Sequence, residues 1–204
     1  MITTKNINLF VWLTGFLWIF LLIISGVKVP EKFLQPISLL IGFWTIFLGA
    51  YEKWIWRYDQ IGILFEPQPD INGTWQGVLK SNYTDPETKK GIPEIEIYLT
   101  VTQTFSSINY KMFTKEMVSE LISGKIIKDE NGQFTLYGVY RSTPNILIQE
   151  RSPIHLGAVQ LAYSNKKLEG SYWTHRETKG TILLSKNKPQ NHLDFESAKK
   201  IFES

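Results

Sequence analysis

The chain has 204 residues, a formal net charge of +3 and 20% charged residues, so direct binding of DNA or RNA is not expected. The absence of cysteine excludes disulfide bonds and thiolate metal ligands. The histidines, His155, His175 and His192, do not have the spacing of metal ligands, so we expect neither a metal site nor a cofactor.

The first feature along the chain is a pair of apolar spans. One runs from about Leu9 to Val27, and the other runs from about Phe33 to Trp56. Each span is long enough to cross a bilayer, because a membrane-spanning helix needs about 20 apolar residues. Since only the charged turn Lys28–Lys32 separates the spans, residues 1–66 are predicted to form an antiparallel hairpin of two transmembrane helices.

The basic residues beside these spans predict an orientation. Lys5, Lys53 and Arg57 lie on the side of the chain termini, and Lys28 and Lys32 lie in the turn. The positive-inside rule therefore favours, by one charge, a cytoplasmic location for both termini and for the domain that follows.

Residues 67–190 show the alternating pattern of β-strands. The candidate strands are Gly73–Leu79, Glu94–Thr102, Ile108–Thr114, Glu120–Lys128, Gln133–Arg141, His155–Tyr163, Lys167–Arg176 and Gly180–Lys186. Because no helical pattern separates them, they indicate an antiparallel all-β barrel or sandwich. We favour a small barrel of about eight strands, since such a barrel can close around one small ligand.

Residues 191–204 carry a helical pattern. Phe195, Ala198, Ile201 and Phe202 recur at helical spacing. This spacing predicts a short amphipathic helix that packs on the barrel.

Sequence motifs of catalysis are missing. The chain contains no glycine-rich phosphate loop, no G-x-S-x-G motif and no pair of carboxylates at a catalytic spacing. We therefore predict a protein that is not an enzyme.

The order of the motifs resembles a known family. Asp70–Gly77, with Trp75, resembles the G-x-W opening of lipocalin-like barrels. His155–Gly157 and the run Leu168–Ile182 follow it. Together with the preceding hairpin, these motifs resemble the two-transmembrane, β-strand-rich effectors of bacterial CBASS antiphage systems over nearly the whole chain.

The resemblance implies a function. It implies a multi-pass protein of the bacterial inner membrane whose cytoplasmic barrel binds a cyclic oligonucleotide, specifically a cyclic dinucleotide, from a CD-NTase-type synthase. Binding would drive self-association of the hairpins, which would disrupt the lipid membrane and kill the infected cell. A guard version, in which the bound nucleotide restrains the effector, fits the same residues.

A cyclic dinucleotide offers flat bases and phosphates, so its pocket needs aromatic faces and cationic or hydroxyl donors. If Trp75 points into the barrel, two strands change from apolar to polar toward one end of the interior. Their inward residues are Phe134, Leu136, Gly138, Tyr140 and Ser142 on one strand, and Leu168, Gly170, Tyr172, Thr174 and Arg176 on the other. This pattern predicts a plugged bottom and a polar mouth.

Seven residues are the candidate ligand contacts. Tyr140 and Tyr172 are expected to stack on bases, and Arg176 is expected to donate to a phosphate. The remaining candidates supply hydrogen bonds or flank the mouth by sequence: Thr174, Ser142, His155 and Arg141. The alternative for each is structural, since tyrosines are common in barrel cores and an arginine can cap a hairpin.

Two other functions remain open at this point. The chain could be a membrane-tethered carrier of a hydrophobic small molecule, as many lipocalin-like barrels are, or an interaction module with a filled core. A lipid carrier requires an apolar lumen throughout, whereas polar residues gather toward one end of this predicted barrel.

Overall fold

The computed structural model describes residues 4–24, 37–58, 68–84, 89–150 and 152–203. The chain divides into two compact units. One unit comprises Met1–Gln68 and Thr104–Ser106, and the other comprises Pro69–Gln103 and Ser107–Ser204.

The first unit is helical. It contains α1 (Thr4–Ile24), α2 (Ile37–Lys53) and a short 3₁₀ turn at Ile55–Arg57. Within the described ranges, no helix is both long and apolar enough to cross a bilayer. The predicted turn Lys28–Lys32 lies outside the described residues. The transmembrane hairpin therefore stays a prediction.

The second unit is a closed antiparallel barrel, which confirms the predicted fold of this part of the chain. Its strands follow one another around the barrel in chain order, and β8 closes on β1. The strands are β1 (Gly73–Ser81), β2 (Ile95–Gln103), β3 (Ile108–Phe113), β4 (Met117–Lys128), β5 (Phe134–Pro144), β6 (His155–Ser164), β7 (Lys167–Thr174) and β8 (Lys179–Lys188).

The prediction for the end of β7 is wrong in a way that matters for the site. The alternating pattern continues through Arg176, but the strand ends at Thr174. The backbone amide of Thr174 donates to the carbonyl oxygen of Thr178 at 2.9 Å, and Glu177 adopts a φ of +63°. Because this bond closes a tight turn, Arg176 lies in the turn between β7 and β8.

One end of the barrel is filled by apolar side chains. Trp75 is 2% exposed, and its indole nitrogen donates to the carbonyl oxygen of Ile71 at 2.9 Å. The side chains buried in the same core include Val101, Leu136, Leu161, Leu168 and Leu184. The filled end matches the plugged bottom predicted from the alternating pattern.

The C-terminal helix is confirmed as α3 (Phe195–Glu203). Asp194 accepts a hydrogen bond from the amide of Ser197 at 2.8 Å, which caps the first turn. Phe195 and Phe202 lie with ring centroids 5.2 Å and 5.8 Å from that of Tyr98. Strand alternation places Tyr98 on the outer face of β2, and it is fully buried there because α3 covers it.

Candidate functional site

A cavity of about 510 Å³ occupies the polar end of the barrel. Strand β1 runs from the buried Trp75 toward Leu79 and Ser81, both of which line the cavity. Pockets of about 300–1,000 Å³ are typical of sites for small organic ligands. The barrel therefore has one filled end and one end that can admit a ligand.

Six of the seven predicted contact residues line this cavity. They come from β5, β6, β7 and the turn after β7, and they are Tyr140, Ser142, His155, Tyr172, Thr174 and Arg176. Side chains alternate between the two faces of a strand, and this alternation brings Tyr140 and Ser142 of β5 to the inner face. It brings Tyr172 and Thr174 of β7 to the same face. His155 begins β6, where its side chain is buried.

Arg141 does not join this group, so its place at the mouth is a wrong prediction. It lies between Tyr140 and Ser142 on β5, so its side chain projects from the opposite face of the strand. Its guanidinium Nη2 lies 3.9 Å from a carboxylate oxygen of Glu120 on the neighbouring strand. The arginine and the cavity are therefore on different sides of the barrel wall.

Tyr140 and Tyr172 each lie over a glycine of the next strand. Tyr140 pairs with Gly157, and a Cβ atom at Gly157 would overlap the Tyr140 ring. Tyr172 pairs with Gly180, where a Cβ atom would lie 1.9 Å from the backbone oxygen of Lys80 and 2.8 Å from a ring carbon of Tyr172. The two glycines thus leave the space that the two rings occupy.

The phenols of both tyrosines remain protonated at neutral pH. Burial raises the pKa of Tyr140, and burial also raises the pKa of Tyr172 against the opposing effect of a hydrogen bond with Ser81. A protonated phenol can donate a hydrogen bond to an anionic oxygen, and its ring offers a flat face to a base.

The turn between β7 and β8 places a cation at the cavity wall. The backbone amide of Arg176 donates to the hydroxyl of Thr174 at 3.2 Å, which holds the turn. The guanidinium Nη1 donates to the hydroxyl of Ser152 at 2.8 Å. Guanidinium groups have several donors in a planar fork, so Arg176 can hold Ser152 and an anionic ligand together.

Two pairs of hydroxyl groups complete the polar wall. The Oγ atoms of Ser119 and Ser142 lie 2.6 Å apart, and the Oγ1 atoms of Thr174 and Thr178 lie 2.7 Å apart. In each pair one hydroxyl donates to the other, which leaves the second proton free to rotate toward a ligand. The wall therefore offers neutral donors beside the arginine.

Charged residues also reach the rim from other strands. Lys115 and Glu116 line the cavity from the turn between β3 and β4, and Glu94 lines it just before β2. Glu94 forms an exposed ion pair with Lys80 at 2.7 Å. The charged residues that line the described cavity are therefore two basic residues, Arg176 and Lys115, and two acidic residues, Glu94 and Glu116.

Some cavity residues were missed from the sequence. Ser81 and Ser119 follow the inward alternation of β1 and β4, so an extension of the predicted strands by one or two residues would have found them. Ser152, Lys115 and Glu116 lie in connecting segments. A connecting segment has no periodicity, so no sequence pattern points these three into the cavity.

Comparison with known families covers this part of the chain. Residues 66–186 match the family model described as "Cap15, cyclic dinucleotide receptor domain". The chain belongs to the Cap15 family. The resemblance to CBASS effectors noted in the sequence is thereby confirmed. The Cap15 match extends from before β1 into β8 and includes every residue that lines the cavity.

Two relatives match over most of their length. The chain is 30% identical over 177 residues to the "CD-NTase-associated protein 15" of Staphylococcus schleiferi, which covers 87% of this chain and 93% of that protein. It is 29% identical over 171 residues to the protein of the same name in Escherichia albertii, over 76% of this chain and 82% of that protein. The similarity to Cap15 proteins therefore extends beyond the barrel.

Proposed function

We propose that this chain is a CBASS effector whose barrel binds a cyclic oligonucleotide, specifically a cyclic dinucleotide, made by a CD-NTase-type synthase. The observation that carries the proposal is the cavity, which combines aromatic rings, hydroxyls and an arginine at one end of a barrel of the Cap15 family. Ligand binding controls self-association of the N-terminal helices, which disrupts the bacterial inner membrane and causes cell death.

The chemistry of the cavity wall supports a nucleotide ligand. Tyr140 and Tyr172 offer two ring faces, as a molecule with two bases needs. Arg176 and the nearby hydroxyls offer charged and neutral donors for phosphate oxygens. A ligand with stacked bases and bridging phosphates would use both kinds of group.

A carrier of a hydrophobic molecule has less support. The apolar end of the barrel is filled by Trp75 and its neighbours, whereas the wall of the cavity combines apolar side chains with Arg176 and several hydroxyl groups. A hydrophobic ligand would bury Arg176 and several hydroxyls without replacing their hydrogen bonds to water, which costs free energy.

The output of the protein is assigned to residues 1–66 as a transmembrane hairpin, with both termini in the cytoplasm. The length of the apolar spans and the slight excess of basic residues beside the barrel support this assignment. A reporter fused after Ser204 should be active when it requires the cytoplasm, and activity restricted to the periplasm would contradict the orientation.

Arg176→Ala tests the binding site. The full-length protein in mild detergent is titrated by calorimetry with a panel of 3′,3′-linked purine and pyrimidine cyclic dinucleotides. A charge-assisted contact to phosphate contributes about 1.5–3 kcal/mol, so the affinity of Arg176→Ala should fall about 10- to 100-fold.

Arg141→Ala is the matched control for this experiment. It removes an arginine that lies next to cavity residues in the sequence of β5 but on the outer face of the barrel, so the affinity should stay within about twofold of the parent. Equal losses in both variants would show a general effect of charge. Failure of the parent protein to bind any member of the panel would contradict the proposed function.

In a guard mechanism, the bound nucleotide has the opposite effect on the toxicity of the effector. If binding activates the effector, co-expression with a cognate synthase should depolarise the membrane and enlarge the oligomer. If bound nucleotide restrains the effector, the parent should be toxic without a synthase, and Arg176→Ala should be toxic even with one. The two outcomes separate the mechanisms at the same site.

A further inference from the structure

His155 lies between groups that make opposite demands on its ring. Its Nδ1 lies 3.0 Å from the carbonyl oxygen of Pro153 and 3.5 Å from Nη1 of Arg176. A carbonyl oxygen only accepts a hydrogen bond, and a guanidinium only donates one, so Nδ1 cannot satisfy both. The shorter distance favours a proton on Nδ1, which leaves the arginine facing a ring that repels it when the ring becomes charged.

The other neighbours of His155 are neutral or lie at the rim. Ser142 pairs with His155 across β5 and β6, and Ser119 reaches Ser142 from β4. The His175 ring centroid lies 6.3 Å from that of His155, in the same turn as Arg176. The remaining titratable groups that line the described cavity are Lys115, Glu116, Glu94, Tyr83, Tyr140 and Tyr172.

The charge of the cavity without ligand is close to zero. The described lining holds Arg176 and Lys115 against Glu94 and Glu116, with His155, Tyr140 and Tyr172 neutral. A cyclic dinucleotide brings two negative phosphates into this site. One additional positive charge inside the wall would therefore improve the electrostatic match.

We propose that His155 takes up a proton when a cyclic dinucleotide binds, so that imidazolium and Arg176 together face the phosphates. This inference rests on the proposed function of the cavity. The proton leaves a buffer acid and forms an N–H bond with the ring nitrogen that is unprotonated in the free protein, and the ligand itself is not changed. His155 is thus a binding group whose charge depends on the ligand.

The direction of the coupling follows from the groups around the ring. In the free protein, burial and the nearby Arg176 and His175 hold the pKa of His155 below its usual value. A phosphate beside Arg176 cancels its repulsion and attracts the imidazolium, which raises the pKa. Between the free-state and bound-state pKa values, each pH unit of acidification should tighten binding by up to tenfold.

Calorimetry of the full-length protein tests this coupling. The cyclic dinucleotide that binds best in the panel is titrated near pH 7 in two buffers with different enthalpies of ionisation. The difference in observed binding enthalpy should give an uptake of about 0.5–1 proton per ligand. The dissociation constant should also rise between about pH 6 and about pH 8.

Three histidine variants identify the group that takes up the proton. His155→Gln retains hydrogen-bonding capacity but should abolish the uptake and flatten the pH dependence. His175→Gln and His192→Gln should retain both, and thermal unfolding checks that each variant is folded. His192 belongs to the segment after β8, where its backbone amide lies 3.3 Å from the Thr74 hydroxyl.

Each result has a distinct meaning. Binding by the parent without proton uptake overturns the inference and leaves the proposed function intact. Loss of proton uptake in His175→Gln but not in His155→Gln would assign the proton to His175, and this result would also overturn the inference. Absence of binding by the parent contradicts the proposed function itself.

Discussion

At the scale of single residues, the cavity depends on a glycine that does not touch its lumen. Gly157 pairs with Tyr140 on one side and with Thr174 on the other. The three heavy atoms nearest to a Cβ built at Gly157 all belong to the Tyr140 side chain. The glycine therefore sets the position of a ring that we expect to stack on a base.

Gly157→Ala should move this ring. Because the added methyl group overlaps Tyr140, we expect a loss of about 1–3 kcal/mol in the free energy of unfolding, together with weaker ligand binding. Chemical denaturation and calorimetry of the full-length protein measure the two effects.

A double-mutant cycle provides the control for Gly157→Ala. In a Tyr140→Ala background the obstacle is gone, so Gly157→Ala should cost less than about 0.5 kcal/mol. The same cost in both backgrounds would show that the methyl group meets another part of the barrel.

At the scale of secondary-structure elements, β2 is buried on both faces in its middle. Leu99 and Val101 face the core, whereas Tyr98 faces α3. Lys188 extends this contact, because its ammonium lies 5.7 Å from the centroid of the Phe202 ring. We therefore regard α3 as a cover for the outer face of the barrel, away from the cavity.

Phe202→Ala tests this role of α3. The ring is partly buried against Tyr98, so its removal should lower the free energy of unfolding by about 2 kcal/mol. Ligand affinity should not change, because no residue of α3 lines the cavity in the described part of the chain. The exposed Lys200→Ala is the matched control in the same helix.

The elements could be predicted because β-strands repeat every two residues. This period located the eight strands and the inward residues of β5 and β7. It could not locate the end of β7, since Arg176 continues the pattern while a backbone hydrogen bond turns the chain. The same period indicates that Arg141 faces outward, because Arg141 lies between two inward residues of β5.

At the scale of the whole molecule, the proposed output depends on contacts between copies of α2. A Cβ atom at Gly42 or Gly49 would meet no atom of the described residues within 4 Å. These positions are therefore free to accept close packing from another helix.

Gly42→Leu with Gly49→Leu should reduce toxicity when a cognate synthase is present. The larger side chains keep neighbouring helices apart, whereas the barrel site is unchanged. Membrane potential and oligomer size measure the output, and calorimetry checks that affinity is retained. Undiminished toxicity with normal binding would contradict helix packing at these glycines.

The barrel can close only late in the synthesis of the chain. The partners in β1 and β8 are separated by about 110 residues of chain, so the first strand has no second neighbour until the last one has been made. At about 5–20 residues per second, synthesis of that stretch takes roughly 5–25 s. The N-terminal helices are synthesised before this interval begins. Each new chain therefore has complete N-terminal helices during the interval, while its barrel is still incomplete.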